Sequence, residues 1–425
     1  MESKFIAATG CVAAALALGV TACGSDNNNS SGGSSSGGGG GGAKTVTVYS
    51  SVPLQGASRA STADLVDGAK LALEQACGKA GNIKVKYVSL DDSTAQAGNW
   101  TPEATSANAR KAAADKSTAA YIGEFNSGAS AVSIPILNEA GIPQVSPANT
   151  AVGLTTNKPG AAPGEPEKYY PTGKRTYARI VPIDTIQGAA MVSLMKQNGC
   201  TKLAEVNDKE VYGQGIAKNV ELAAKSAGGL QVVMDEGIDP KAPNYRSLAQ
   251  KAKSQGADCF AFQGVTANNA IQATKDFAAA LGPNSKMFGP DGVCESGYVD
   301  PKKGGIPTSL DSRTFCTVAT LPPDQYPASG QSFFKAFKQK YGEDQPDPYA
   351  IYGYEAMSLV LDAIKRSKTG DKADVLKALF DTKNRQSVLG TYSIDQNGDT
   401  TLTDYGAYKV KNGALEFDET IKQGQ

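Results

Sequence analysis

The chain has 425 residues, with 42 Lys and Arg balanced by 42 Asp and Glu, a neutral charge that gives no support to nucleic-acid binding. It contains no His, which removes the usual general base, the Ser/His/Asp and Cys/His nucleophile systems and most catalytic zinc sites. Its cysteines, Cys11, Cys23, Cys77, Cys200, Cys259, Cys294 and Cys316, include no Cys-x-x-Cys pair, against zinc-ribbon and thioredoxin-type readings. No metal site and no cofactor are expected.

The chain opens with Lys4 followed by an apolar run over 5–20, which has the shape of a secretory signal and is too short to span a bilayer comfortably. The small residues of Val20-Thr21-Ala22-Cys23 resemble the lipobox of bacterial lipoproteins. That resemblance implies a signal peptide over 1–22 and a lipidated Cys23 as the mature N-terminus. It places the protein on the extracytoplasmic face of the cell membrane, in a periplasm or at a cell surface. Residues 23–43 are almost wholly Gly, Ser and Asn, with Asp26 the single charge. Such a stretch has nothing apolar to bury, so it is expected to be a flexible tether spanning roughly 25 Å on average. No later stretch is apolar enough for a membrane span, which leaves the lipid as the expected anchor.

About 380 residues follow the tether, enough for two domains on a length prior of about 150 residues each. From 45 onward strand-like and helix-like segments alternate. A β-rich segment at 45–49 is followed by apolar residues at helical spacing over 61–79, strand alternation over 83–90 and an Ala-rich helix over 102–116. A strand at 119–122, a helix over 129–140 and a short strand at 144–146 complete the first run. Residues 155–175, with Pro159, Pro163, Pro166 and Pro171, read as a long surface loop. The alternation then restarts, with helices over 185–197, 213–227, 245–255 and 267–281 leading to strands at 202–206, 231–234, 258–263 and 286–288. The last third holds helices over 329–341, 349–366 and 372–380, then strands at 391–394 and 405–410. Between those strands the segment 395–399 carries Asn397-Gly398 and reads as a hairpin tip rather than a calcium loop. Two consecutive βα runs predict an α/β fold of two doubly wound parallel-sheet lobes.

Cys200 and Cys259 each begin a strand of the second run, so they can sit side by side as a disulfide. Cys294 and Cys316 bracket one segment, and their disulfide closes a loop of about 20 residues worth on the order of 3 kcal/mol. These pairings leave Cys77 over.

In open α/β sheets ligands bind outside the carboxyl ends of the strands. Ser127 sits at a helix start after one such end, where a hydroxyl and free N–H groups suit a carboxylate; an N-cap role explains it equally well. Thr150 follows the next strand in a similar place, Tyr212 follows a strand of the second run, and Asp291 lies on a tight Gly/Pro turn after another. Four segments recur in order: Tyr121-Ile-Gly-Glu-Phe-Asn-Ser127, Ile142-Pro-Gln-Val-Ser-Pro-Ala-Asn-Thr150, Tyr212-Gly-Gln-Gly215 and Phe288-Gly-Pro-Asp-Gly-Val293. Together they resemble the solute-binding proteins of branched-chain amino-acid ABC transporters, a periplasmic-binding-protein type I group, over nearly everything from 45 to 410.

The resemblance implies two lobes joined by a multi-strand hinge, 44–181 plus 320–385 and 182–319 plus 386–425, that close on an amino acid. Ser127, with Ala148 and Thr150, would hold the α-carboxylate. Asp291, where the group usually has Glu, would pair with the ammonium, helped by Tyr212, and Tyr349 or Tyr352 would touch the side chain. Two departures bear on the ligand: 53–59 replaces a usual Gly/Pro-rich turn, and 90–93 lacks the group's Cys. The expected function is therefore a monomeric, lipid-anchored, non-enzymatic protein that hands an amino acid to an ABC permease in the membrane. A ligand sensor of the same fold and an anchored amidase using Ser and Lys are the rivals. An aromatic, amide or urea-like solute is the alternative ligand.

Overall fold

The computed structural model describes residues 44–422; the expected signal peptide, Cys23 and the whole of the expected tether lie outside the described residues. The first part of the chain runs β1 (Thr45–Val52), α1 (Arg59–Gln75), β2 (Lys79–Ala80), β3 (Ile83–Asp91), a small hairpin of β4 (Ser93–Thr94) and β5 (Asn99–Trp100), α2 (Pro102–Ala114), β6 (Thr118–Gly123), α3 (Ser127–Glu139), β7 (Gln144–Ser146) and β8 (Tyr177–Arg179). Its sheet has the order β2-β3-β1-β6-β7-β8, parallel except for β2. β1 lies between two neighbours and is buried from Val46 to its end, as expected of a β-branched strand covered on both faces. α2 starts where it does because the Thr101 hydroxyl accepts from Ala104 N–H and Pro102 takes the first helical position, where no N–H is needed.

The second part runs α4 (Asp184–Gln197), β9 (Lys202–Asn207), α5 (Val211–Ala227), β10 (Gln231–Gly237), α6 (Arg246–Ser254), β11 (Cys259–Gln263), α7 (Ala270–Leu281), β12 (Lys286–Gly289), α8 (Ser296–Val299) and β13 (Thr314–Val318). The last runs α9 (Ala328–Tyr341), α10 (Ala350–Ser367), α11 (Lys372–Phe380), β14 (Arg385–Ser387), β15 (Gly390–Tyr392), β16 (Tyr405–Lys411) and β17 (Ala414–Ile421). The second sheet has the order β10-β9-β11-β12-β13-β16-β17, parallel as far as β13 and antiparallel beyond. α10 returns to the first sheet and packs on α1. A Cβ at Gly353 would stand 1.9 Å from the Leu65 carbonyl oxygen, and one at Gly68 would stand 2.1 Å from that of Ala350, so only glycines allow this approach.

Several expectations need correction. β2, β4, β5, β8, β13, β14 and β17 fall outside the expected strands. The segment 155–175 is not a plain surface loop: Tyr169 and Tyr170 are buried beside Leu154, and the Tyr170 hydroxyl donates to the Leu154 carbonyl at 2.7 Å. The segments 391–394 and 405–410 do not form one hairpin. β15 pairs with β14, β16 pairs with β13 and β17, and a single bridge joins Ile394 to Thr400. What pulls the turn away is Arg179, whose backbone N–H donates to the Gly398 carbonyl and whose side chain pairs with Asp399 at 2.7 Å. Disulfides join Cys200 to Cys259 and Cys294 to Cys316, with Cα atoms 5.7 and 5.5 Å apart. Cys77, expected to be left over, is not without a partner either.

Candidate functional site

At the carboxyl ends of both sheets a cavity of about 20 Å³ is lined by Ser127, Ala148, Thr150, Tyr212, Asp291 and Tyr349, together with Phe125, Asn126, Val265 and Gly292. Each wall has a local cause. β6 ends at Gly123, Asn126 occupies the N-cap position of α3 without a side-chain capping bond, and Ser127 is the first helical residue, its Oγ accepting from Ala151 N–H at 3.4 Å. The first N–H groups of a helix have no intrahelical acceptor and carry its positive end, so this wall suits an anion. The turn after β7 is shaped by Ser146, whose Oγ accepts from the N–H groups of Ala148 and Asn149 at 3.2 and 2.9 Å and donates to the Glu124 carbonyl at 2.9 Å. Behind it Arg179, fully buried, donates to the carbonyls of Asn149 and Ala151 at 3.1 and 2.8 Å. The same guanidinium that pairs with Asp399 thus holds both sides of Thr150.

The opposite wall is acidic. Asp291 accepts from the Tyr212 hydroxyl at 2.6 Å and from the Tyr349 hydroxyl at 2.5 Å. Burial raises its pKa despite these two bonds, and burial with the nearby carboxylate keeps both tyrosines well above their usual range. Asp184, at the start of α4, is fully buried, and neither carboxyl oxygen makes a hydrogen bond of good geometry, the nearby Thr150 hydroxyl included. Burial, with the charge of Asp291 adding to it, pushes Asp184 up to about 8. The Thr150 Oγ1 and Gln187 Oε1 are likewise buried without a partner, and in low dielectric such atoms cost free energy until a donor meets them. The cavity therefore runs from a helix N-terminus to Asp291, with the Thr150 Oγ1 unsatisfied in its wall and Asp184 and Gln187 buried outside its lining. Its volume admits about one water, so anything larger enters only when the walls part.

A second pair of acids lies under the Ser127 loop. Glu124 accepts from the Tyr121 hydroxyl at 2.8 Å, while its other oxygen and Asp92 Oδ1 have no partner. Burial raises both, Asp92 to about 7.

The structure brings Ser127, Ala148, Thr150, Tyr212, Asp291 and Tyr349 to one cavity, and leaves Tyr352 behind it. The Tyr352 hydroxyl donates to the Ala319 carbonyl at 2.9 Å, and its ring centroid is 5.8 Å from that of Tyr349. Sequence reasoning missed Phe125, whose ring meets Tyr349 edge-on at 5.4 Å, and Val265, Asp184 and Arg179. An Arg three residues before a Pro-Ile-Asp helix start was the available signal for the last two. Among the described residues, the one group able to gather on a metal is Cys200, Asp258 and Cys259, and both of its cysteines are taken up in their disulfide.

The profile of the family described as periplasmic binding protein matches residues 45–414. A Leu/Ile/Val-binding protein homolog 1 of Brucella abortus is 25% identical over 372 residues, covering 87% of this chain and 91% of that relative. The solved structure of a leucine binding protein LivK from Thermotoga maritima has a TM-score of 0.76 at 23% identity, covering 89% of this chain and 99% of its own. That of the branched-chain amino acid transporter substrate binding protein LivJ from Streptococcus pneumoniae, in complex with isoleucine, has a TM-score of 0.73 at 20% identity, covering 89% and 100%. These neighbours share the two-lobed type I periplasmic-binding fold.

Proposed function

This chain belongs to the periplasmic binding protein family, and we propose that it captures an amino acid, branched-chain or similar, and delivers it to an ABC importer. The observation that carries the reading is the cavity's opposed polarity, a helix N-terminus with Ser127 at one end and buried Asp291 at the other, with the fully buried Asp184 near enough to feel the charge of Asp291. A zwitterion fits both ends at once. In this reading Ser127, Ala148 and Thr150 hold the carboxylate, Asp291 with Tyr212 and Asp184 holds the ammonium, and Tyr349, braced by Tyr352, touches the side chain. The names of the Brucella, Thermotoga and Streptococcus proteins point the same way.

The lobes 44–181 plus 320–385 and 182–319 plus 386–425 are the bodies that part and close, and the ligand stabilises the closed state by its differential affinity. The protein performs no chemistry. No helix among the described residues is long and apolar enough to cross a membrane, and the lipid on Cys23 is the anchor that keeps a monomeric binder at the outer face beside its permease. The test is thermal-shift and calorimetric screening of the mature chain against L-leucine, L-isoleucine, L-valine and L-alanine, with benzoate, acetamide and urea alongside. A specific ligand at 100 times its Kd adds about 2.7 kcal/mol of stability. A hit confined to benzoate or the amides replaces the amino acid by the alternative ligand class, and no hit refutes the reading. Loss of uptake of the identified ligand on deleting the gene separates the importer from a sensor.

A further inference from the structure

We propose that the β4–β5 hairpin is a lid that seals the carboxylate end of the cleft, with Asn99 and Trp100 as its two catches on the second lobe. The hairpin is rooted in the first lobe: Asp91, at the end of β3, accepts from the N–H groups of Leu54 and Ser93 at 2.9 and 2.8 Å. From there it reaches over the cleft. The Trp100 indole N–H donates to Glu210 Oε2 at 3.2 Å, and the Asn99 amide donates to Asn268 Oδ1 at 3.1 Å. Both receivers belong to one network in the second lobe, since the Asn268 amide donates to Asp208 Oδ2 at 2.8 Å and to Glu210 Oε1 at 3.4 Å. Asp208 in turn accepts from the N–H groups of Val265 and Glu210 at 3.2 and 3.1 Å, which ties the catches to Val265 in the cavity wall.

What the lid covers is the first turn of α3. A Cβ at Gly128, next to Ser127, would stand 2.7 Å from Trp100 Cζ2 and 3.0 Å from Glu210 Oε2. Trp100 and Glu210 therefore lie directly on the helix end that the proposed function gives to a carboxylate. With water excluded there, the charge–dipole attraction between the helix end and an anion is stronger than at an open helix end. Burial, with Asp208 beside it, pushes Glu210 up to about 7, which limits the negative charge set next to a ligand carboxylate. Trp100 and Glu210 are positioning residues in this account. The part about a carboxylate rests on the proposed function, while the lid itself is tested without a ligand.

Trp100 is the single tryptophan of the chain, so its emission reports the lid alone. In ligand-free full-length protein carrying Asn99→Cys and Asn268→Cys, mild oxidation should give an interlobe crosslink about tenfold faster than a control pair, Asn99→Cys with Lys253→Cys, because the lid holds the first pair at high effective concentration. Equal rates overturn the lid. Acrylamide quenching of Trp100 should at least double in Glu210→Ala and stay near wild type in Glu210→Gln, which keeps an acceptor for the indole. Identical quenching in the two variants also overturns it. Calorimetry with L-leucine, L-isoleucine and L-valine runs in parallel. If one of them binds and its saturation leaves Trp100 as accessible as before, the sealing role is wrong. If none binds, the ligand reading fails while the crosslink still decides the lid.

Discussion

Replacing Asp184 by Asn should stabilise the protein, by an amount set by pH. Asp184 is fully buried, both of its oxygens lack partners, and its pKa rises from 3.8 to about 8 on folding, chiefly through burial. The folded state thus holds a proton that the unfolded chain has released between those two values. Stability contributed by this group is complete below pH 3.8 and is lost as pH rises towards 8, at about 1.4 kcal/mol per unit. The climb is roughly four units, an upper limit near 5–6 kcal/mol, and relaxation or water entry around the charge brings the expected gain of Asp184→Asn to about 3–5 kcal/mol at pH 8. Urea unfolding of both proteins at pH 5, 6, 7 and 8 reads the difference directly from the midpoints and a shared m-value. Every other acid cancels in that comparison. A difference that widens steadily from pH 5 to pH 8 supports the argument. A constant difference, or a loss of stability at pH 8, means that Asp184 is already ionised and paired in the fold, and the reasoning from its unpartnered oxygens collapses. The same variant should weaken amino-acid binding, since it trades a latent charge for a neutral amide.

Asp291→Ala should cost the amino-acid ligand about 3–5 kcal/mol of affinity, as for breaking a buried ion pair, whereas Ser127→Ala should cost about 1.5–3 kcal/mol, as for a hydrogen bond to a charged group; calorimetry that finds Asp291→Ala unchanged excludes an ammonium at that end. Asp399→Asn should destabilise the chain by about 3–5 kcal/mol in urea unfolding, because Arg179 would be left charged and fully buried without its counter-ion; a change under about 0.5 kcal/mol would show that the carbonyls of Asn149 and Ala151 suffice to hold it. Cys23→Ala should abolish lipidation and leave precursor or released protein in place of a membrane-bound form, and mass spectrometry finding an unmodified Cys23 in the wild type would contradict the anchor.

The parallel core was legible because burial on both faces writes a plain signal. The segment 45–49 and the run 119–122 are apolar and β-branched, and they became the adjacent central strands β1 and β6. β8 was hidden by its own function: three residues long and ending in Arg179, it looks polar unless one knows that the guanidinium is neutralised by Asp399, 220 residues later in the chain. β17 was hidden by exposure, since an edge strand open to water on one side reads as a charged tail. β13, Thr314–Val318, was readable by its β-branched and aromatic residues and was simply overlooked. At the site, Ser127, Thr150, Tyr212 and Asp291 could be placed from strand ends and turn chemistry. Asp184 could not, because an acid in the first turn of a helix is ordinarily a surface residue answering the helix dipole. The groups it interacts with, Tyr212, Tyr405 and Thr150, come from distant parts of the chain.

The glycine-mediated contact of α1 with α10 bears on how the chain acquires its fold. Gly68 and Gly353 meet across an interval of almost three hundred residues, and between them the whole second sheet up to β13 is laid down. β1, β3 and β6 can pair early, but the face of α1 that α10 covers stays bare until nearly the last helix has been made. The second sheet has the mirror difficulty, because β16 must come back from beyond α10 to cover the edge of β13. Neither half is a contiguous unit, so a fragment ending at 319 would expose one helix face and one strand edge at once. Such surfaces invite association with other chains before the native partner arrives, and the order in which residues emerge makes the early part of the molecule the one most in need of a holding chaperone.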